Sequence, residues 1–382
     1  MSEETTQLIL PKHEDLVVSS SPHIQVKDSV SAIMLKVVAA MIPAMAAGIY
    51  YFGISALWVI LLCSIFCVGA EILWCLIAKK NVWATIRDCS ALVTGILLAL
   101  NLSASTPWWV CLIGAFLAIW LGKQIFGGIG YNPFNPALVA RVGLLIALPG
   151  LMTTWVPTRQ MVNDIRTTAC AEEMQISSQF ISNDDAKIIA AEDSKIDAVT
   201  CATPLGVVST TPKNSELFSI ANNFKAIDNC KANKEYFLGN IGGCLGETSS
   251  LALLIGGILL LCWRLINWRI PVFFIGTVFV ITGAINYFYP GVTPSPIFHV
   301  VTGGLMLGAF FMATDMVTSP MTNSGAIVFA IGCGIITSAI RIWGNYPEGV
   351  SFSILFMNAL VPFIDKFCTR RVFGAVKTAK KA

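Results

Sequence analysis

The chain has 382 residues, of which 55% are hydrophobic and only 12% charged. Soluble domains carry about 25% charged residues, so this composition excludes an ordinary soluble globular protein and points to a polytopic membrane protein. A net charge of +3 is too small to suggest a nucleic-acid partner.

The first 35 residues are polar and lack a signal peptide's order of basic start, short apolar core and small-residue cleavage site. The first apolar run is therefore expected to stay in the mature protein. A membrane span needs about 20 mostly apolar residues. On that measure we read candidate spans at Lys36–Gly53, Ser55–Ile77, Ser90–Ser103, Trp108–Gln124 and Asn135–Trp155. After a long polar loop come Ser249–Ile266, Pro271–Phe288, Ile297–Ala313, Gly325–Ile342 and Ser351–Ile364. The stretches from Ser90, Ile297 and Ser351 are short for full spans and are expected to be tilted, broken or re-entrant. The domain reading is a cytoplasmic segment (1–35), a first five-helix repeat (36–155), an extracytoplasmic loop (156–247), a second five-helix repeat (248–366) and a basic cytoplasmic tail (367–382).

Lys and Arg set the orientation. With the N-terminus inside, Lys79, Lys80, Arg87, Lys123, Arg264, Arg269 and the tail from Lys366 to Lys381 all fall inside. The short connections around Phe52, Ser105, Pro290 and Pro347 hold no Lys or Arg. The long loop then lies outside, with Trp108, Trp109 and Trp155 at the outer interface. The spans are then expected in a bacterial inner membrane, with the loop in the periplasm or its equivalent.

Leu92-Val93-Thr94-Gly95-Ile96-Leu97 matches Val300-Val301-Thr302-Gly303-Gly304-Leu305 at an offset of 301 − 93 = 208. The match falls at the same place in each half of a chain of about ten spans. An odd number of spans per half inverts the second, and inverted repeats place sites between halves at interrupted helices.

Twelve cysteines are scattered without a CxxC. Most lie in apolar runs as small buried hydrophobes, and none has metal-ligand spacing, so no metal site is expected. The loop cysteines Cys170, Cys201, Cys230 and Cys244 could pair in an oxidising compartment. Asn135 before Pro136 makes an N-cap and first-turn pair after a Gly-rich turn. With Asn132, it offers a helix N-terminus suited either to capping or to an acceptor-rich ligand such as a flavin. Arg141 is costly in hydrocarbon and is expected near the membrane edge. Asp88, Glu348 and Asp365 lie near span ends, where solvation explains them. Glu71 and Asp315 lie deeper and are the candidates for an ion path, since hard cations prefer oxygen ligands. His299 reads as a hydrogen-bonded core residue; Phe273, Phe274 and Phe279 read as packing or lipid-facing.

The polar loop contains Asp197-Ala198-Val199-Thr200-Cys201-Ala202-Thr203. Read alone it is a Thr-rich turn, with Pro204 holding Thr203 extended and its side chain presented. The pattern Asp-x-x-Thr-x-Ala-Thr resembles sites where FMN is esterified to threonine through its phosphate. Other strings point the same way: Ser21-Pro22-His23-Ile24, Gly127-Gly128-Ile129-Gly130-Tyr131-Asn132-Pro133-Phe134-Asn135-Pro136-Ala137 and Phe311-Met312-Ala313-Thr314-Asp315-Met316-Val317-Thr318-Ser319-Pro320. Over about Ser21 to Phe363 the chain resembles the NqrB/RnfD family, and within it the RnfD proteins of the Rnf complex, an ion-pumping ferredoxin:NAD oxidoreductase.

That resemblance implies an all-α, urea-transporter-like membrane fold and an electron-transfer subunit of a redox-driven ion-translocating oxidoreductase, not catalytic alone and with no catalytic residue assigned. It implies FMN as a phosphoryl ester on Thr203, with Asp197, Thr200 and Ala202 as recognition context, and a second, non-covalent flavin (riboflavin) among the helices. It also implies a flavin transferase and the other Rnf subunits as partners: RnfB, RnfC, RnfA, RnfE and RnfG, above all RnfG with its own covalent FMN and the membrane proteins RnfA and RnfE. Electron flow would be coupled to Na⁺ or H⁺. The family has Gly where this chain has Cys201. The alternatives are the NqrB component of the sodium-pumping NADH:quinone reductase and a solute channel of similar architecture.

Overall fold

The computed structural model describes residues 29–162, 203–210, 228–289, 293–344, 346 and 348–369. The regular secondary structure of the described residues is helical, with no β-strand among them. Helix α1 (Val30–Phe52) starts where the Ser29 hydroxyl accepts the Ala32 N–H, and stops at Gly53, which turns the chain at φ 82° into α2 (Ile54–Ile77). Short α3 (Val82–Arg87) precedes α4 (Ser90–Leu100). Next comes α5 (Trp108–Phe116), which runs on as π-helical turns over Leu117–Gln124. Then follow α6 (Pro136–Ala147) and α7 (Pro149–Met152).

Two pieces of the long loop are described as helix, α8 (Pro204–Thr210) and α9 (Cys230–Leu238). The later part contains α10 (Ser250–Cys262), α11 (Arg269–Phe288), α12 (Pro296–Val301) and α13 (Leu305–Leu307), with π-helical turns at Gly308–Met312. It closes with α14 (Asn323–Trp343) and α15 (Val350–Phe367).

Five of these, α1, α2, α11, α14 and α15, are long and apolar enough to cross a membrane. They carry large apolar side chains outward, such as Trp58, Ile65, Val280 and Phe363, as a lipid-facing surface requires. Of the three segments expected to be short, one comes out differently and two as expected. The last segment is not short, because α15 gains a turn beyond Ile364 despite Pro362. The segment from Ile297 is broken at Thr302–Gly304, where Gly303 takes φ +76°. Helix α4 is also too short: 11 residues rise about 16 Å, half of a bilayer core.

Within the first part α2 packs on α4 and α5, and α5 on α6. Within the second, α11 packs on α12 and α14, and α14 on α15. The two parts meet through α1 against α10 and α6 against α15. Glycine permits the first of these contacts. A side chain at Gly256 would strike the Ala40 carbonyl and come within 2.9 Å of Phe311.

The loop returns into the body. Asp228 accepts from the Ser295 backbone N–H at 2.5 Å and from its hydroxyl at 2.8 Å, and the Tyr51 hydroxyl donates to the Leu238 carbonyl. Beyond α9 the chain is buried from Ile241 to Ser250. There the Leu245 N–H donates to the Leu102 carbonyl and the Gly246 N–H to the Leu100 carbonyl, closing the open end of α4.

Gly256→Leu should destabilise the chain by about 1–3 kcal/mol or more through overpacking. Gly276→Leu, where nothing lies within 4 Å of the added Cβ, should change it by less than about 0.5 kcal/mol. Thermal unfolding of both variants in detergent checks the contrast.

Candidate functional site

Two polar centres lie between the two parts of the chain, at opposite ends. At the end facing the long loop, Arg141 projects from the middle of α6 and is buried. Its Nη2 pairs with the Glu348 carboxylate and reaches Glu247 at 3.7 Å. Its Nη1 meets the Asn101 carbonyl and the Cys244 sulfur. So Arg141 is buried among protein partners and not solvated. Its desolvation is offset by two carboxylates and a carbonyl. Glu348 is likewise not explained by solvation: its side chain is 13% exposed and ion-paired.

The fold also gathers Cys244, Glu247 and Glu348, whose ligating atoms lie within 4.8 Å of one another. Spacing along the chain gave no hint of that. Arg141 already serves all three. Burial pushes the Glu247 carboxyl above its usual range against the pull of Arg141 and Arg341, and pushes the Cys244 thiol up to about 12. The described cysteines are free thiols, Cys230 and Cys244 included; Cys170 and Cys201 lie outside the described residues.

Thr203 stands at this end. It is buried, and it lines a cleft of about 310 Å³, counting the part open to solvent, with Leu205, Gly243, Glu247, Gly303 and Glu348. Its hydroxyl accepts the Gly206 N–H at 3.0 Å and its carbonyl accepts the Val207 N–H, so it caps α8. The expected presented side chain is thus a buried cap. Thr-Pro at a helix start was the available signal. Asp197, Thr200 and Ala202 lie outside the described residues.

At the opposite end a cavity of about 860 Å³, counting the part open to solvent, is bounded by α1, α4, α10 and the turn after the π-helical stretch. Asn132, Asn135, Ser90, Lys123 and Asp315 contribute its polar wall among apolar residues such as Phe310 and Phe311. Asn135 caps α6, accepting the Ala137 N–H at 3.1 Å, and its amide donates to the Met312 carbonyl at 3.2 Å, joining the two parts of the chain. The Asn132 amide donates to the Phe134 carbonyl.

Asp315 is half-buried and accepts from the Thr318 hydroxyl at 3.2 Å. Glu71 is buried and pairs with Lys123, which also donates to the Ser90 hydroxyl at 2.7 Å; Gln124 donates to Glu71 at 2.9 Å. Lys123 is therefore the partner of Glu71 and not merely a surface charge that marks topology. Glu71 and Asp315 do not meet; only Asp315 lines the cavity. His299 is buried, but among the described residues neither ring nitrogen finds a partner, contrary to the expectation of a hydrogen-bonded core residue. Sequence reasoning missed Arg341, a lone cation in an apolar helix, which by itself signals function or pairing.

A family model described as NQR2, RnfD, RnfE matches residues 17–374. The chain belongs to this family. Among NQR2, RnfD, RnfE relatives, the chain is 40% identical over 373 residues to the D subunit of the Na⁺-translocating ferredoxin:NAD⁺ oxidoreductase complex of Acetobacterium woodii, covering 96% of this chain and 98% of that one. It is 41% identical over 351 residues to the D subunit of the ion-translocating oxidoreductase complex of Stutzerimonas stutzeri, covering 91% and 93%. It is 40% identical over 363 residues to the D subunit of the proton-translocating ferredoxin:NAD⁺ oxidoreductase complex of Clostridium ljungdahlii, covering 95% and 97%. Sodium- and proton-linked relatives are thus equally similar, so overall identity does not select the ion.

Arg141→Met should cost about 3–5 kcal/mol by stranding two buried carboxylates. Arg141→Met/Glu348→Met should lose less than the sum of its single variants. Unfolding in detergent reads both; additive losses would contradict the pairing.

Proposed function

We propose that this chain is the electron-carrying membrane protein RnfD of an Rnf-type ion-translocating ferredoxin:NAD⁺ oxidoreductase, with FMN esterified to Thr203. It would act beside RnfA, RnfB, RnfC, RnfE and RnfG after loading by a flavin transferase. The observation that carries the reading is Thr203 itself. The one hydroxyl singled out by the Asp-x-x-Thr-x-Ala-Thr string lines a glycine-walled cleft against the membrane body.

Gly243 and Gly303 offer the room a phosphate needs beside a hydroxyl. Bulkier residues there would close the cleft, and Arg141 offsets its two carboxylates. The bound flavin would accept and donate electrons; the protein sets its place and surroundings. Loading would form a bond from the Thr203 oxygen to phosphorus. The bond to the donor nucleotide's leaving group would break, and the hydroxyl proton would leave with that group. Thr203 would first release Gly206.

For the second flavin, riboflavin, the cavity near Asn132 and Asn135 is the best match. Its apolar walls suit an isoalloxazine ring, and its polar groups suit ring acceptors or ribityl hydroxyls. Two inverted five-helix repeats of the urea-transporter type are supported by the duplicated packing. The pairs α2–α4, α2–α5 and α5–α6 correspond to α11–α12, α11–α14 and α14–α15. First helices (α1, α10) and fifth helices (α6, α15) meet across the middle. In this reading the loop end faces outward from the bacterial inner membrane and both termini face the cytoplasm. Glu71 with Lys123 and Asp315 then lie toward the inner face, as parts of an ion path.

The wild-type chain made with its transferase should fluoresce under ultraviolet light in a denaturing gel. Thr203→Val should remove the band and Thr200→Val should keep it. A band in Thr203→Val would move the attachment; none in the wild type would favour a solute channel. Glu71→Gln should reduce ion transport by the assembled complex at unchanged subunit content, and normal transport would remove Glu71 from the path.

A further inference from the structure

Arg341 lies on the last turn of α14 and is buried. Its Nη1 donates to the His299 carbonyl at 2.5 Å and its Nη2 to the Thr302 carbonyl at 3.3 Å. These carbonyls close the end of α12, the negative pole of that helix. A guanidinium has five donor hydrogens, and among the described residues the buried Nε of Arg341 has no partner. Among the described residues no carboxylate lies within ion-pair distance of Arg341, whereas Arg141 takes both Glu348 and Glu247. A buried cation hydrogen-bonded only to carbonyls, with Glu247 acting on it from beyond ion-pair distance, has room for a closer anion.

Its position points to where that anion would sit. Gly303, at φ +76°, lines the Thr203 cleft. A Cβ at Gly303 would lie 2.9 Å from Arg341 Nη2 and 2.5 Å from Leu205 Cδ1. The guanidinium therefore stands beside Gly303 and Leu205, two residues that line the cleft with Thr203.

We propose that Arg341 binds the phosphodiester that joins a flavin to Thr203 and supplies its counter-charge. This rests on Thr203 being the flavin acceptor. A threonine phosphodiester carries one negative charge on two non-bridging oxygens, which the planar guanidinium fork suits better than an ammonium. Arg141 stays with Glu348. The four charges of Arg141, Arg341, Glu247 and Glu348 sum to zero before esterification. The added negative charge is balanced when Glu247, the carboxylate held less closely by Arg141 and the one that faces Gly243 and Gly304, takes up a proton from water.

The test uses the intact flavinylated protein with ¹⁵N-labelled arginine, read by ³¹P–¹⁵N dipolar solid-state NMR. Peptide mass of the same sample establishes flavin on Thr203. If the wild type carries none there, the acceptor reading fails, and with it the proposal's premise. With flavin present, a guanidinium nitrogen is expected about 4 Å from phosphorus, given charge-assisted N···O distances of about 2.8 Å. Arg341→Lys, which keeps the charge, should abolish the coupling while leaving Arg141 labelled. No coupling in the flavinylated wild type would overturn the proposal. So would coupling that persists in Arg341→Lys, because Arg141 would then hold the phosphate. The wild-type arm needs no variant, so misfolding of Arg341→Lys does not shelter the idea.

Discussion

The buried guanidinium of Arg141 is the constraint on which the loop-facing end of this structure depends. A charge in that position costs several kcal/mol to desolvate unless its partners are in place. Those partners come from three distant stretches of chain: Asn101 after α4, Glu247 in the returning loop and Glu348 before α15. Satisfying one side chain therefore draws together the first helices, the loop and the last helix. The loop segment that carries Glu247 also closes the open carbonyls of α4, so electrostatic and backbone requirements are met by the same ten or so residues.

Broken helices make this possible. The chain leaves helical geometry after Leu100 and again at Thr302–Gly304, and each break frees carbonyls that a helix interior would use. Arg141 takes the carbonyl at the first break, and Arg341 takes those at the second. The same arrangement recurs at the basic end, where Asn135 caps α6 and reaches across to Met312. Irregular backbone is tolerated at membrane depth when it is buried in protein or lines a cavity, and both conditions hold here.

Hydropathy located the helices well, because a span's apolar run is a local property. The capping role of Asn135 was equally readable, since the cap and Pro136 are neighbours. What escaped were relations between residues far apart in sequence. Lys123 looked like a cytoplasmic topology charge because its partner, Glu71, is 52 residues away. Glu348 looked solvated because nothing nearby in the chain predicts Arg141 beside it. His299 was expected to be hydrogen-bonded, an assumption that rests on surroundings a sequence does not contain. Thr203 was found through its motif, yet its burial depends on α8 docking Leu205 against Gly303.

The central claim is that the loop hydroxyl held against this charged junction carries the flavin. The mass of the Thr203-containing peptide, released by protease from the complex isolated from its native membrane, tests it most directly. The account predicts the peptide mass plus one FMN less one water, with fragmentation placing the addition on Thr203. A peptide of unmodified mass from a redox-active complex would contradict it.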